Sequence, residues 1–265
     1  MIVSIDLGIS TTKIVHSDGK FTLKSELIEE RLDVPRLVDY VSHLESVSAI
    51  AVTGVGSQYI GDTLCGKPVV HVDEFEANTL SARNYVAAER FILVSMGTGT
   101  SFILVDGDQF SHLGGSALGG GTLQGMMRLL LPGVDFPQFR RLAAVGDLSK
   151  VDLQIGDVSP VALPNLPMDT TASNLGKIGA DPNPADLAAG LVNLVLQNIG
   201  VMANLAGKGR NMDTFCFIGL MTTLPKSREI FDRLENLYGI HIIQPEHPEF
   251  FTAVGAALKV SHFTD

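Results

Sequence analysis

Two related α/β domains facing a shared cleft are what this sequence predicts, and three observations predict it. A strand, a turn of glycine and hydroxyl residues, a second strand, an Asp-Gly turn and a third strand run through residues 1–24, and the same plan recurs at 91–113. Each opening is followed by alternating strand and helix signals, as in layered α/β domains. With 265 residues, 45% of them hydrophobic, the chain is long enough to build two cores.

The elements follow in order. Residues 2–8 form a strand that ends on Asp6 and Gly8, the polar turn 9–13 follows, and 14–16 resumes a strand. Asp18-Gly19-Lys20 is a hairpin signal into a third strand at 21–24. Three antiparallel strands differ from the strand–helix–strand opening of a Rossmann unit. Val34, Leu37, Val38, Val41 and Leu44 have helical spacing over 34–45. A buried strand at 49–52 leaves through Thr53-Gly54-Val55-Gly56, another strand covers 68–72, and a long helix runs from 74 to 88. The second unit opens with strands at 91–96 and 101–105 and the turn Asp106-Gly107-Asp108. Five glycines in the eight residues 114–121 precede a helix through Leu131. The proline-rich stretch 132–185 reads as short elements and loops. A helix at 184–207, a strand at 214–219, a helix at 226–237, a strand at 240–243 and a last helix at 249–261 complete the chain. The domain boundary falls between an N-terminal domain, 1–88, and a C-terminal domain, 89–265.

Composition narrows the function. A formal charge of −10 disfavours a diffuse electrostatic grip on nucleic acid or anionic lipid. The two cysteines, Cys65 and Cys216, sit in separate apolar segments and form no CxxC, so neither a structural zinc nor an iron–sulfur cluster is expected. Two buried free thiols in a reducing cytosol are expected instead. The N-terminus leads straight into a strand, and Asn193, Gln197, Asn198 and Asn204 interrupt the most apolar helix. The expectation is a cytoplasmic protein that engages no membrane.

Three segments carry chemistry. Binding a phosphate takes backbone N–H donors that approach closely, and glycine permits the approach; hydroxyls add donors and a lysine adds charge. Asp6-Leu7-Gly8-Ile9-Ser10-Thr11-Thr12-Lys13 offers all of these, with Asp6 placed to hold Mg²⁺ through water. The plain alternative is a solvated polar hairpin. Met96-Gly97-Thr98-Gly99-Thr100-Ser101 is a second such turn; it is no Walker A loop, since no Gly-Lys-Ser/Thr closes it. One phosphate chain held between two hairpins is a coherent site. The 114–121 glycine run opens a helix whose first N–H groups are expected to face an anion or a ring.

Together, Asp6-x-Gly-x-Ser-x-x-Lys13, Asp73-Glu74-Phe75-Glu76-Ala77, Val94-x-x-Gly97-Thr98-Gly99-Thr100-Ser101 and Gly114-Gly115-x-x-x-Gly119-Gly120-Gly121-Thr122-x-Gln124-Gly125 resemble the type II pantothenate kinases. The resemblance extends through Phe217-Ile218-Gly219 and the 251–258 segment. It implies two ribonuclease H-like domains of the actin-like ATPase superfamily flanking a nucleotide cleft. It also implies ATP-dependent phosphorylation of the primary hydroxyl of pantothenate, the first step towards coenzyme A. Glu74 stands where the family has its general base, and its acidic neighbours Asp73 and Glu76 are expected to raise its pKa. Asp6 stands at the Mg²⁺ position. The resemblance assigns ATP to Asp6, Gly8, Ser10, Thr11, Thr12, Lys13, Gly97, Thr98, Gly99, Gly120, Gly121, Thr122, Leu123, Gln124, Phe136 and Leu220. It assigns the acceptor to Ser101, His112 and Gly114. A homodimer is implied, with the helix at 184–207 as its expected face, and coenzyme A or an acyl-CoA as a feedback ligand.

Two positions depart from the family pattern. His112 stands where an arginine is usual, a weaker and pH-dependent cation, and Leu220-Met221 replace small hydroxyl residues near the adenine. Two alternatives stay open. One is a sugar or amino-sugar kinase of the same superfamily, although no cysteine-rich zinc cluster or Asn-Asp base segment is visible. The other is a non-kinase ATPase, against which two cysteines in unrelated strands and a length that hardly permits extra subdomains argue, or an inactive paralogue, against which Glu74 and Lys13 both argue.

Overall fold

A computed structural model of the protein describes residues 1–18, 20–161 and 166–261. The first unit comprises β1 (Ile2–Leu7), β2 (Thr12–Ser17), β3 (Thr22–Ile28), α1 (Val34–Ser42), β4 (Ala49–Thr53), β5 (Thr63–Leu64), β6 (Lys67–His71) and α2 (Glu74–Tyr85). The second begins with β7 (Arg90–Met96), β8 (Thr100–Asp106), β9 (Gln109–Ser116), α3 (Gly120–Leu130) and α4 (Phe136–Val145). It continues with β10 (Leu153–Gln154), α5 (Ile155–Val158), β11 (Thr171–Ser173), α6 (Pro184–Lys208), β12 (Thr214–Ile218), α7 (Ser227–Tyr238) and β13 (His241–Ile243), and α8 (Phe251–Ser261) follows.

The repeat seen in the sequence is a repeat of topology. Of the two large sheets, one has the order β3-β2-β1-β4-β6-β5 and the other β13-β12-β7-β8-β9, while β10 and β11 pair as a separate two-stranded ribbon. In both large sheets, the first strand of an antiparallel meander pairs on its other side with a parallel strand that arrives after a helix. β1 is buried along its whole length, so each face has its own partner. Val3, Ile5 and Leu7 pack with Leu37 and Val41 of α1 on the outer face. Ile2 packs with Ala77 of α2 and with Ala256, Ala257 and Val260 of α8 on the inner face. Period-two alternation puts Ser4 and Asp6 on that inner face, and Ser4 Oγ donates to the Ala253 carbonyl at 2.6 Å.

α2 and α8 form a layer between the sheets. Ala82 and Val86 pack on Phe91, Leu93 and Ile103 of the second sheet, whose far side is covered by α3, α4, α6 and α7. The last helix therefore returns to the N-terminal sheet. It crosses α2 so closely that a Cβ on Gly255 would lie 1.7 Å from the Ala77 carbonyl oxygen.

Several expectations are corrected. α4 is a ten-residue helix inside the stretch read as short elements and loops: Asp135 caps it, accepting from Gln138 N at 2.7 Å, and Pro137 lies in the first turn, where its missing N–H costs nothing. The 114–121 glycine run is divided, with Gly114 and Gly115 inside β9 and Gly119 as the cap of α3. Cys65 is exposed at the β5–β6 turn rather than buried; Cys216 is buried. α6 places most of its apolar residues in the chain's own core and leaves Leu205 exposed. Among the described residues it alone is long and apolar enough to cross a membrane, and most of that stretch is buried within the chain. Of the turn at 18–20, Gly19 lies outside the described residues; Lys20 and Phe21 donate their N–H groups to Asp18 Oδ1.

Candidate active site

The two Gly/Ser/Thr turns face each other across the cleft, and their hydroxyls meet: Ser10 Oγ and Thr98 Oγ1 are 3.4 Å apart. Below them lies a cavity of about 430 Å³, within the roughly 300–1,000 Å³ of small-molecule clefts. Antiparallel register sets Lys13 opposite Asp6, and Lys13 Nζ donates to Asp6 Oδ2 at 2.9 Å. Both side chains are largely withdrawn from solvent, so each neutralises a charge the other could not carry alone.

Glu74 is the first residue of α2. Asp73 caps the helix, accepting from the N–H groups of Phe75 and Glu76 at 2.9 and 3.0 Å, and this fixes Glu74 at the cavity wall. Its side chain is exposed to solvent and lines the cleft. The surrounding protein, then the carboxylate of Asp6, then that of Asp73 lift its pKa above the ordinary glutamate value, while Lys13 opposes them. Glu76 has no part in this, contrary to expectation, because Lys259 of α8 holds it at 2.6 Å.

The second turn rests on the start of α3. Gly120 N donates to the Gly97 carbonyl and Gly121 N to the Thr98 carbonyl, each at 2.9 Å. These N–H groups are therefore spent on the turn and are not offered to an anion, which corrects the reading of this helix start. A Cβ on Gly119 would stand 2.7 Å from the Thr98 carbonyl oxygen, so only glycine lets the two segments touch. In the cavity lining, the His112 ring stacks on Phe75 with centroids 4.6 Å apart, and Phe136 stacks on Phe139.

Asp6, Gly8, Ser10, Thr11, Lys13, Glu74, Gly97, Thr98, Gly99, Ser101, His112, Gly120, Gly121, Gln124, Phe136 and Leu220 all line this one cavity. Four of the expected residues do not. Thr12 is fully buried, its Oγ1 donating to the Glu30 carbonyl and accepting from Leu32 N. Leu123 points into the core. Thr122 turns its hydroxyl to the Ala117 carbonyl, and Gly114 lies in β9 beyond the lining. Sequence reasoning missed Ser95, Ser116, Glu249 and Thr252, which line the cavity too. Ser95 could have been found by stepping two residues back from Gly97; Thr252 and Glu249 reach the cleft only because α8 returns to it.

A type II pantothenate kinase from Bacillus anthracis is 27% identical over 226 residues, 82% of each chain. One from Staphylococcus epidermidis is 27% identical over 267 residues, 97% of this chain and 99% of its own. Among solved structures, the activator of the 2-hydroxyisocaproyl-CoA dehydratase from Clostridium difficile with bound ADPNP superposes with a TM-score of 0.68 at 16% identity, covering 99% of this chain and 94% of that one. The ROK hexokinase from Thermus thermophilus superposes with a TM-score of 0.57 at 15% identity, covering 100% and 99%. At such identities these two show the fold alone, an actin-like ATPase and sugar-kinase architecture. The model of the Fumble family, by contrast, matches residues 73–259, which contain Glu74, the second turn and the returning helix; the chain belongs to the Fumble family, that of the type II pantothenate kinases.

Proposed function

We propose that the protein transfers the γ-phosphoryl group of ATP to the primary hydroxyl of pantothenate, the reaction named for its relatives. The observation that carries the reading is a glutamate in the wall of a cleft where two phosphate-type turns converge, its pKa raised above the ordinary value. Loss of hydration around Glu74 raises its affinity for a proton, as a general base for an alcohol requires. Glu74 takes the hydroxyl proton as the oxygen attacks phosphorus, and Ser10, Thr98 and the backbone of the 97–99 turn steady the equatorial oxygens. Lys13 releases Asp6 and adds its charge to the phosphates. Phe136, Gln124 and Leu220 form the wall against which the base of the nucleotide packs, and His112 on its Phe75 platform faces the acceptor.

A metal ion fits this site as part of the nucleotide. Among the described residues no group of three or more His, Cys, Asp or Glu side chains could hold one, whereas Mg²⁺ is content with one or two carboxylates, waters and phosphate oxygens. Asp6 is the residue that would hold it. When bound, the ion neutralises phosphate charge as the leaving group departs.

The test is coupled ADP release from Mg²⁺-ATP with pantothenate, pantetheine, N-acetylglucosamine or no acceptor. Pantothenate-dependent release is expected. Release with the sugar alone would turn the reading to a sugar kinase, and acceptor-independent release to an ATPase.

A further inference from the structure

Ser95, near the end of β7, and Thr252, in the first turn of α8, both line the cavity, and neither has a part in the chemistry above. Between them lies Asn78, fully buried on α2 and one helical turn beyond Glu74. Its amide nitrogen is 3.3 Å from Ser95 Oγ, and its amide oxygen is 2.8 Å from Thr252 Oγ1. A primary amide has a donor end and an acceptor end, and a hydroxyl has one proton. The hydroxyl that faces the amide oxygen spends its proton there and offers the cavity only lone pairs. The hydroxyl that faces the amide nitrogen keeps its proton for the cavity. Turning the amide over exchanges the two roles and leaves their sum unchanged. The cavity therefore presents one donor and one acceptor on neighbouring elements, set in advance by a group that water does not reach.

We infer that Ser95 and Thr252 form a subsite for an α-hydroxy amide of the acceptor, its hydroxyl donating to one and its carbonyl accepting from the other, with Asn78 as the positioning residue. This rests on the kinase reading above. In pantothenate the secondary hydroxyl and the amide carbonyl stand on adjacent carbons, and the reacting hydroxymethyl carbon is two carbons further along. From Glu74 to Asn78 the helix advances roughly 6 Å, a separation that this unit spans while its primary oxygen stays at Glu74. A donor–acceptor pair is matched by such a unit, whereas a phosphate oxygen would leave the acceptor hydroxyl unpaired.

The test compares pantothenate with 2-deoxypantothenate as acceptors in wild type, Thr252→Val, Ser95→Ala and Asn78→Ala, with the KM for ATP and thermal melting measured alongside. Wild type is expected to prefer pantothenate in kcat/KM by roughly ten- to hundred-fold, the worth of a hydrogen bond in a water-poor site. The preference is expected to fall below about threefold in at least one of Thr252→Val and Ser95→Ala, with the KM for ATP within about twofold of wild type in both. Asn78→Ala is expected to lower kcat/KM for pantothenate more than for the deoxy analogue; should it fail to fold, the two hydroxyl variants decide alone. An undiminished preference in both overturns the inference. So does a raised Mg²⁺ requirement with the preference intact, which would assign the pair to the waters of the nucleotide's cation. ADP release by wild type that depends on neither acceptor overturns the kinase reading, and the inference with it.

Discussion

At the scale of the residue, the account turns on the proton of Glu74. The surrounding protein and the carboxylates of Asp6 and Asp73 raise its pKa, so the side chain stays protonated to a higher pH than a free glutamate at roughly 4.3. Only the ionised form accepts a proton, so kcat/KM is expected to rise with pH along an acid limb centred above that value. In Glu74→Gln the limb is expected to vanish and kcat to drop by roughly 10²–10⁴-fold, the usual worth of a general base. Stability moves the other way. A folded-state pKa above the unfolded one gives a contribution that is whole below the unfolded pKa and lost as pH rises through the folded one. Glu74→Gln is therefore expected to melt no lower than wild type near pH 7–8, with the difference closing towards pH 4. A pH–rate profile and melting curves across that range check both halves. Asp6 and Lys13 were legible in the sequence as members of one glycine- and hydroxyl-rich turn and Glu74 through the family resemblance; the ion pair between Asp6 and Lys13 was not, because it needs the strand register. Glu249 and Thr252 were not, because their relation to the cleft depends on packing between segments more than 150 residues apart.

At the scale of the element, the crossing of α2 and α8 holds the base and the subsite in one frame. Gly255 admits no side chain there, since a Cβ would meet the Ala77 carbonyl oxygen at 1.7 Å. Backbone against Cβ leaves no rotamer to yield, so Gly255→Ala has to push the helices apart. It is expected to cost about 3 kcal/mol or more, measured by chemical denaturation, and to lower activity further than its loss of folded protein explains. The strands were readable from the sequence because period-two alternation and Asp-Gly turns are strong local signals. α4 was not, because Pro132, Gly133 and Pro137 read as loop residues, although a proline in the first turn is compatible with a helix. The glycine run at 114–121 was located but misread in part: its first members end a strand, and the N–H groups of Gly120 and Gly121 serve the neighbouring turn.

At the scale of the whole molecule, the site exists only where two sheets and the helices between them meet, so a nucleotide that touches both turns should bind the folded state alone. At a hundred times its dissociation constant such a ligand adds about 2.7 kcal/mol, or a rise in Tm of roughly 5–10 °C for a chain of this size. Mg²⁺-ADP is expected to produce that rise by scanning calorimetry, and Lys13→Ala to shrink it. The repeated half-domain plan was visible in the sequence because each half carries its own meander and turn. The return of α8 to the first sheet was not, because nothing in residues 251–261 says which of two sheets they cover.

The central claim is that this cleft moves a phosphoryl group from ATP to pantothenate with Glu74 taking the proton. The measurement that tests it most directly follows the fate of the γ-phosphate in a single turnover of γ-³²P-labelled ATP with pantothenate, in wild type and Glu74→Gln. The account predicts that the label leaves wild type as the phosphomonoester of pantothenate and that the variant binds ATP but transfers it far more slowly. Label released as inorganic phosphate at the same rate with or without pantothenate, in both proteins alike, would contradict it.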